Sequence, residues 1–195
     1  MRNIFIIHGS YGSPNENWFP WLKKELEKLG NKVFAPQFPI PPPEKQDAAY
    51  GGHKLSSWLK KMSEYKKYIN DETIIIAHSR GNIFTYNFLM KLKKPVSSVF
   101  LVAPWIKFIW YPKGWKKIDS FHKKPFDWKK IKNGANYFEV FQSTNDVIPV
   151  SEGQFIADKL QAKINIIKNA GHFNTYTYKK FIKFPFLLEK VKSRL

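Results

Sequence analysis

Thr73-Ile74-Ile75-Ile76-Ala77-His78-Ser79-Arg80-Gly81-Asn82 decides how the rest of the chain is read. A β-branched apolar run leads to a serine, with small residues two positions before and two positions after it. Helix-compatible sequence follows at once. This is the pattern of a nucleophile elbow, in which a strand ends in a sharp turn that pushes a serine hydroxyl out at its tip. Crowding in that turn demands small flanking residues. Ala77 and Gly81 meet the demand, with Ala77 in place of the more usual glycine. The competing reading is a plain strand-to-helix turn with Ser79 as the helix cap.

A serine hydroxyl is a poor nucleophile unless a base takes its proton, and the base needs an acid to orient it. In the elbow folds the chain order is serine, acid, histidine. Downstream, the strand-like run Tyr137-Phe138-Glu139-Val140-Phe141-Gln142 ends in the polar turn Ser143-Thr144-Asn145-Asp146-Val147-Ile148-Pro149. A second run, Ala162-Lys163-Ile164-Asn165-Ile166-Ile167, ends in Asn169-Ala170-Gly171-His172-Phe173. Asp146 and His172 therefore complete a candidate triad with Ser79. All three fall at the carboxyl ends of strands, where open α/β sheets place their ligand sites. The bland alternatives are an Asp146 that only starts a turn before Pro149 and an exposed Gly-His loop.

An oxyanion hole needs two backbone N–H groups aimed at developing negative charge. One comes from the residue after the nucleophile, here Arg80; the other comes from the loop after an early strand. Here that strand is Arg2–Ile7 and the loop is His8-Gly9-Ser10-Tyr11-Gly12-Ser13, so Ser10 or Tyr11 supplies the second donor. Gly9 and Gly12 allow close backbone approach. A phosphate-binding loop is the other reading of this stretch, but no Gly-Lys-Ser/Thr follows and the G-x-G-x-x-G spacing is missing.

Together these segments resemble the retinoblastoma-binding protein nine family of small serine hydrolases. The similarity runs through His8-Gly9-Ser10, Trp18-Phe19-Pro20-Trp21-Leu22, Ala77-His78-Ser79-Arg80-Gly81, Lys124-Pro125-Phe126-Asp127-Trp128-Lys129-Lys130-Ile131, Gln142–Pro149 and Ala170-Gly171-His172-Phe173. It spans nearly the whole chain. The resemblance implies an α/β-hydrolase fold and assigns Ser79, Asp146 and His172 as the triad. The namesake's link to retinoblastoma protein rests on a Leu-x-Cys-x-Glu sequence. This chain has no cysteine, so that partnership does not carry over.

Strand-like runs lie near 3–7, 32–35, 73–77, 96–102, 137–142 and 163–167, with helical stretches near 17–29, 54–69, 81–93, 152–161 and 177–193. Pro185 kinks the last helix or delays its start. The alternation predicts an α/β fold: a three-layer α/β/α sandwich around a mostly parallel sheet of about six strands, a trimmed α/β-hydrolase. A length of 195 residues and a 43% hydrophobic content suit a single domain, 1–195, with a sizeable core. The absence of cysteine excludes disulfides and thiolate metal sites and fits a cytoplasmic setting. The apolar run at Ile4–Ile7 is too short for a signal peptide or membrane span.

Residues 104–133 break the alternation. They carry Trp105, Phe108, Trp110, Tyr111, Trp115, Phe121, Phe126 and Trp128 among lysines. An insertion here is expected to act as a lid, with Trp105 and Trp110 lining a substrate pocket; packing onto the sheet and contact with a membrane surface are the alternatives. The net charge is +18, but the lysines are scattered in pairs along helix faces. No specific nucleic-acid partner and no stable membrane insertion are expected. The histidines show no H-E-x-x-H or comparable spacing, so neither metal nor other cofactor is expected. The function that follows is acyl transfer on a small carboxylic ester, or on an amide or peptide, through an acyl-enzyme. The alternative from another class is a non-catalytic binding or scaffold protein that keeps the fold.

Overall fold

The computed structural model of the chain describes residues 1–42, 53–106, 120–122 and 125–195. Six strands build one sheet: β1 (Asn3–Ile7), β2 (Lys32–Phe34), β3 (Ile74–His78), β4 (Val96–Val102), β5 (Ala135–Ser143) and β6 (Lys163–Ile167). Their spatial order is β2-β1-β3-β4-β5-β6, and every neighbouring pair is parallel. Parallel neighbours need long crossovers. The helices provide them: α1 (Phe19–Lys28), α2 (Leu55–Ser63), α3 (Arg80–Leu89), α4 (Trp128–Lys132) and α5 (Val150–Leu160), with α6 (Pro185–Lys192) closing the chain. Helices α1 and α6 touch each other, while α2, α3, α4 and α5 touch in succession. The sheet is thus covered on two faces, as the three-layer expectation required.

The central strands show why. Ile4 to Ile7 and Ile74 to His78 are buried throughout. A continuous apolar run, rather than alternation, is what a strand buried on both faces needs. Helix α1 is one-sided instead, burying Phe19, Leu22 and Leu26, and Gly30 at φ +79 ends that segment.

Two elements differ from the sequence expectation, and a third, the last helix, takes one of the two forms expected of it. The helix expected over 54–69 stops at Ser63, and a 3-10 turn at Lys66–Tyr68 follows. The last helix begins at Pro185, after a 3-10 turn at Lys179–Ile182, because proline suits a first helical turn and not an interior. The short helix α4 was not foreseen; Asp127 caps it, accepting from Lys130 N–H at 3.0 Å.

The topology also fixes where a site can form. From β1 the chain moves outward to β2, then returns past β1 to β3 and proceeds the other way. The strand order reverses between β1 and β3, and ligand crevices in open α/β sheets form at the carboxyl ends of strands at such a switch point. In register, Ile7 pairs with Ala77, and His78 with Val102. The loops leaving β1, β3 and β4 therefore start at one level, beside this crevice. No helix among the described residues is long and apolar enough to cross a membrane.

Candidate active site

Ser79 sits at the tip between β3 and α3 with φ 54 and ψ −122. Such a backbone costs a non-glycine residue roughly 1–3 kcal/mol and persists only where its surroundings over-determine it. Here they do. Ser79 N–H donates to Val102 O at 3.0 Å. Asn82 Nδ2 donates to both Ser79 O (2.9 Å) and Val102 O (2.8 Å). Gly81 permits the closeness, since a Cβ there would stand 2.6 Å from Ile7 O and 2.8 Å from His8 O. Ser79 occupies the cap position of α3 but makes no side-chain capping bond. The capping reading therefore does not describe this hydroxyl.

His172 and Asp146 come together from the loops after β6 and β5. The Asp146 side chain is fully buried. His172 Nδ1–H donates to its two oxygens at 3.0 and 2.9 Å, and Ile148 N–H adds a bond to Oδ1 at 3.2 Å. Because Nδ1 is the donor, Nε2 is left as the basic nitrogen. Asp146 also starts a turn, as the bland reading held, while bonding the histidine. The His172 loop is drawn to the elbow itself: the ring of His78, Ser79's chain neighbour, lies 4.9 Å from the His172 ring, and its Nε2–H donates to His172 O at 2.8 Å.

The loop after β1 closes the other side. Gly9 packs on the serine so tightly that a Cβ there would lie 3.0 Å from Ser79 Cβ and 3.4 Å from its Oγ. Phe38 N–H donates to His8 Nε2 at 2.9 Å, so His8 Nδ1 carries the proton and donates to Gly9 O at 2.8 Å. That bond orients the Gly9–Ser10 peptide. Arg80, fully buried, donates from Nε to Ser10 Oγ at 2.7 Å, and its guanidinium lies 5.3 Å from the Phe121 ring centre. Of the expected oxyanion donors, Arg80 follows the serine and meets Ser10 through this bond, while Tyr11, at φ 53, packs its ring 4.7 Å from that of His53. Burial lowers the pKa of His8 to about 4 and that of His78 to about 3, the nearby His172 adding to the effect on His78. Both rings are therefore neutral at physiological pH, with tautomers set by their partners.

A family model for serine hydrolases matches residues 4–185. The chain belongs to the serine hydrolase family. It is 30% identical to YdeN of Bacillus subtilis over 88% of this chain and 86% of that protein. It is 27% identical to the rat serine hydrolase RBBP9 over 91% of this chain and 90% of that one. Its fold overlays the crystal structure of the B. subtilis ydeN gene product with a TM-score of 0.84 at 26% identity, covering 100% of this chain and 98% of the other. Est1E of Butyrivibrio proteoclasticus with bound ferulic acid shares the fold at a TM-score of 0.68 and 13% identity, over 98% and 90% of the two chains. This serine hydrolase is thus an enzyme of the small α/β-hydrolase class.

Of the two tryptophans expected to line a pocket, Trp110 lies outside the described residues. Trp105 is buried, its ring centre 5.2 Å from that of His122. Sequence reasoning missed Asn82, which cross-links the elbow, and Trp18, whose indole N–H donates to Phe173 O at 3.0 Å. Asn82 carried a readable signal: a polar amide that stays buried inside a helix start needs partners in the turn before it.

Proposed function

We propose that the hydrolase cleaves small carboxylic esters with Ser79 as nucleophile, His172 as general base and Asp146 as its orienter. His172 Nε2 takes the proton as Ser79 Oγ attacks the acyl carbon. The tetrahedral oxyanion is met by backbone N–H groups of Arg80 and of Ser10 or Tyr11. The imidazolium then returns its proton to the leaving alkoxide, giving an acyl-enzyme. Water repeats the sequence: His172 deprotonates it, it attacks the acyl carbon, and Ser79 leaves with the proton.

One observation carries the reading. A strained serine whose hydroxyl caps no helix follows His78 in the chain, and the His78 ring packs on that of a histidine whose Nδ1 is committed to a buried carboxylate. Each part has a structural use elsewhere in proteins; their convergence favours nucleophilic acyl transfer. Esters come before amides or peptides because an alkoxide leaves without the strong leaving-group protonation that an amine requires. Hydrolysis of a series of chromogenic acyl esters tests the proposal. Wild-type turnover with Ser79→Ala at the buffer rate supports it; undiminished turnover by Ser79→Ala refutes it.

A further inference from the structure

The backbone carrying His172 is strained. Asn169 (φ 53), Gly171 (φ 54) and Phe173 (φ 52) all hold left-handed conformations within five residues. Only one of them is glycine, so the surroundings must impose this shape. They do so largely through one short segment. Three consecutive amides of the loop are received by three consecutive side chains at the end of β5 and just beyond it. Asn169 N–H donates to Thr144 Oγ1 at 3.1 Å, Ala170 N–H to Ser143 Oγ at 3.0 Å, and Gly171 N–H to Asn145 Oδ1 at 2.8 Å. Ser143 Oγ–H donates in turn to Asn145 Oδ1 at 2.9 Å, and Asn145 Nδ2 donates to Tyr178 Oη at 3.0 Å. The next residue in each loop belongs to the pair itself: Asp146 and His172.

We infer that Ser143, Thr144 and Asn145 are positioning residues whose side chains hold the 169–172 backbone so that His172 Nδ1 meets both oxygens of Asp146. The inference rests on the proposed roles of His172 and Asp146. The bonds of Thr144 and Asn145 contribute modestly to folding, because both residues are exposed and water can replace them, whereas Ser143 is buried and its loss also costs stability. Geometry is where they matter. A displacement of about 1 Å at a reacting group can cost about a hundredfold in rate. The bonds from Trp18 to Phe173 O and from His78 to His172 O fix the far side of the loop against α1 and β3. Among the described residues, the 143–145 segment is what ties the histidine loop to the residues beside its own acid. Asn145 is its centre, since its single amide meets Ser143, Gly171 and Tyr178.

The test uses the full chain with Asn145→Ala, Asn145→Asp, Ser143→Ala and His172→Ala, one ester, and a melting curve for each. Asn145→Ala is expected to lower kcat by about ten- to a hundredfold with KM nearly unchanged and only a small fall in Tm. Ser143→Ala is expected to act in the same direction. Asn145→Asp keeps the acceptor for Gly171 N–H and recovers kcat at high pH. The titratable groups around His172 and its loop among the described residues are Asp146 after β5, the neutral His78 on β3 and Tyr178, which bonds Asn145. A second carboxylate favours the imidazolium, which cannot act as base, so the acid limb of kcat/KM for Asn145→Asp moves to higher pH. A merely structural role predicts instead that kcat falls only as Tm falls, and that Asn145→Asp recovers kcat only as far as it recovers Tm; that outcome overturns the inference. If His172→Ala is inactive while Asn145→Ala keeps wild-type kcat, the positioning role alone is overturned. If His172→Ala hydrolyses the ester normally, the base assignment fails and the inference falls with it.

Discussion

Ser79 holds its strained backbone because Asn82 bonds the carbonyls of Ser79 and Val102 together. Removing that amide in Asn82→Ala costs two side-chain hydrogen bonds, while Val102 O keeps Ser79 N–H and Ser79 O keeps Asn82 N–H. Each lost bond is worth about 0.5–1.5 kcal/mol, so urea unfolding is expected to show a loss of about 1–3 kcal/mol, together with slower ester turnover. Asp146→Asn should leave the fold intact and cut kcat by roughly four decades, because the wrong imidazole tautomer is then favoured. Full activity of that variant would remove Asp146 from the mechanism. Trp105 makes a separate case. Its burial beside His122 favours packing over substrate contact. Trp105→Ala is therefore expected to cost about 3–5 kcal/mol without changing which ester chain length is preferred. A shifted chain-length preference at wild-type Tm would return this residue to the pocket wall.

Two glycines set how closely the site's elements approach one another. A methyl at Gly81 meets the carbonyls of Ile7 and His8, which belong to rigid backbone. Gly81→Ala should push α3 away from β1 and leave the protein poorly folded. At Gly9 a methyl meets Ser79 at 3.0 Å. That contact is tight but not closed, so Gly9→Ala should fold, shift the loop off the serine and lower kcat more than Tm. Equal losses in both variants would show that the two approaches are not distinct. These elements were also the legible ones. The unbroken Ile74–Ala77 run announced a fully buried parallel strand, and Ala77 and Gly81 announced the turn after it. The break in the 54–69 helix was hidden, because the Lys66–Tyr68 stretch has no proline or glycine to mark it. Helix α4 is too short for periodicity to register. The Trp18–Phe173 bond, 155 residues apart in sequence, is visible only once the chain has folded.

At the scale of the whole molecule, two buried neutral histidines tie stability to pH. Folded His8 and His78 titrate near 4 and 3, both below the ordinary histidine value, so the unfolded chain binds more protons as pH falls. Their contribution is intact above about pH 6.5 and is lost progressively toward about pH 4, with a limiting slope of about 1.4 kcal/mol per pH unit for each. Urea unfolding at several pH values from about 7.5 to 5 should show a transition that moves to lower midpoints with acid. A midpoint independent of pH in that range would contradict the burial account. The net charge of +18 predicts only weak, sequence-indifferent and steeply salt-dependent binding to nucleic acid; a titration showing tight sequence selection at physiological salt would overturn that. Reaction of the intact chain with a fluorophosphonate, read by mass spectrometry and peptide mapping, tests the central claim most directly. The account predicts one adduct per chain, located on Ser79 and lost in Ser79→Ala. Modification at Ser10 or Ser143 instead, or undiminished labelling of Ser79→Ala, would contradict it.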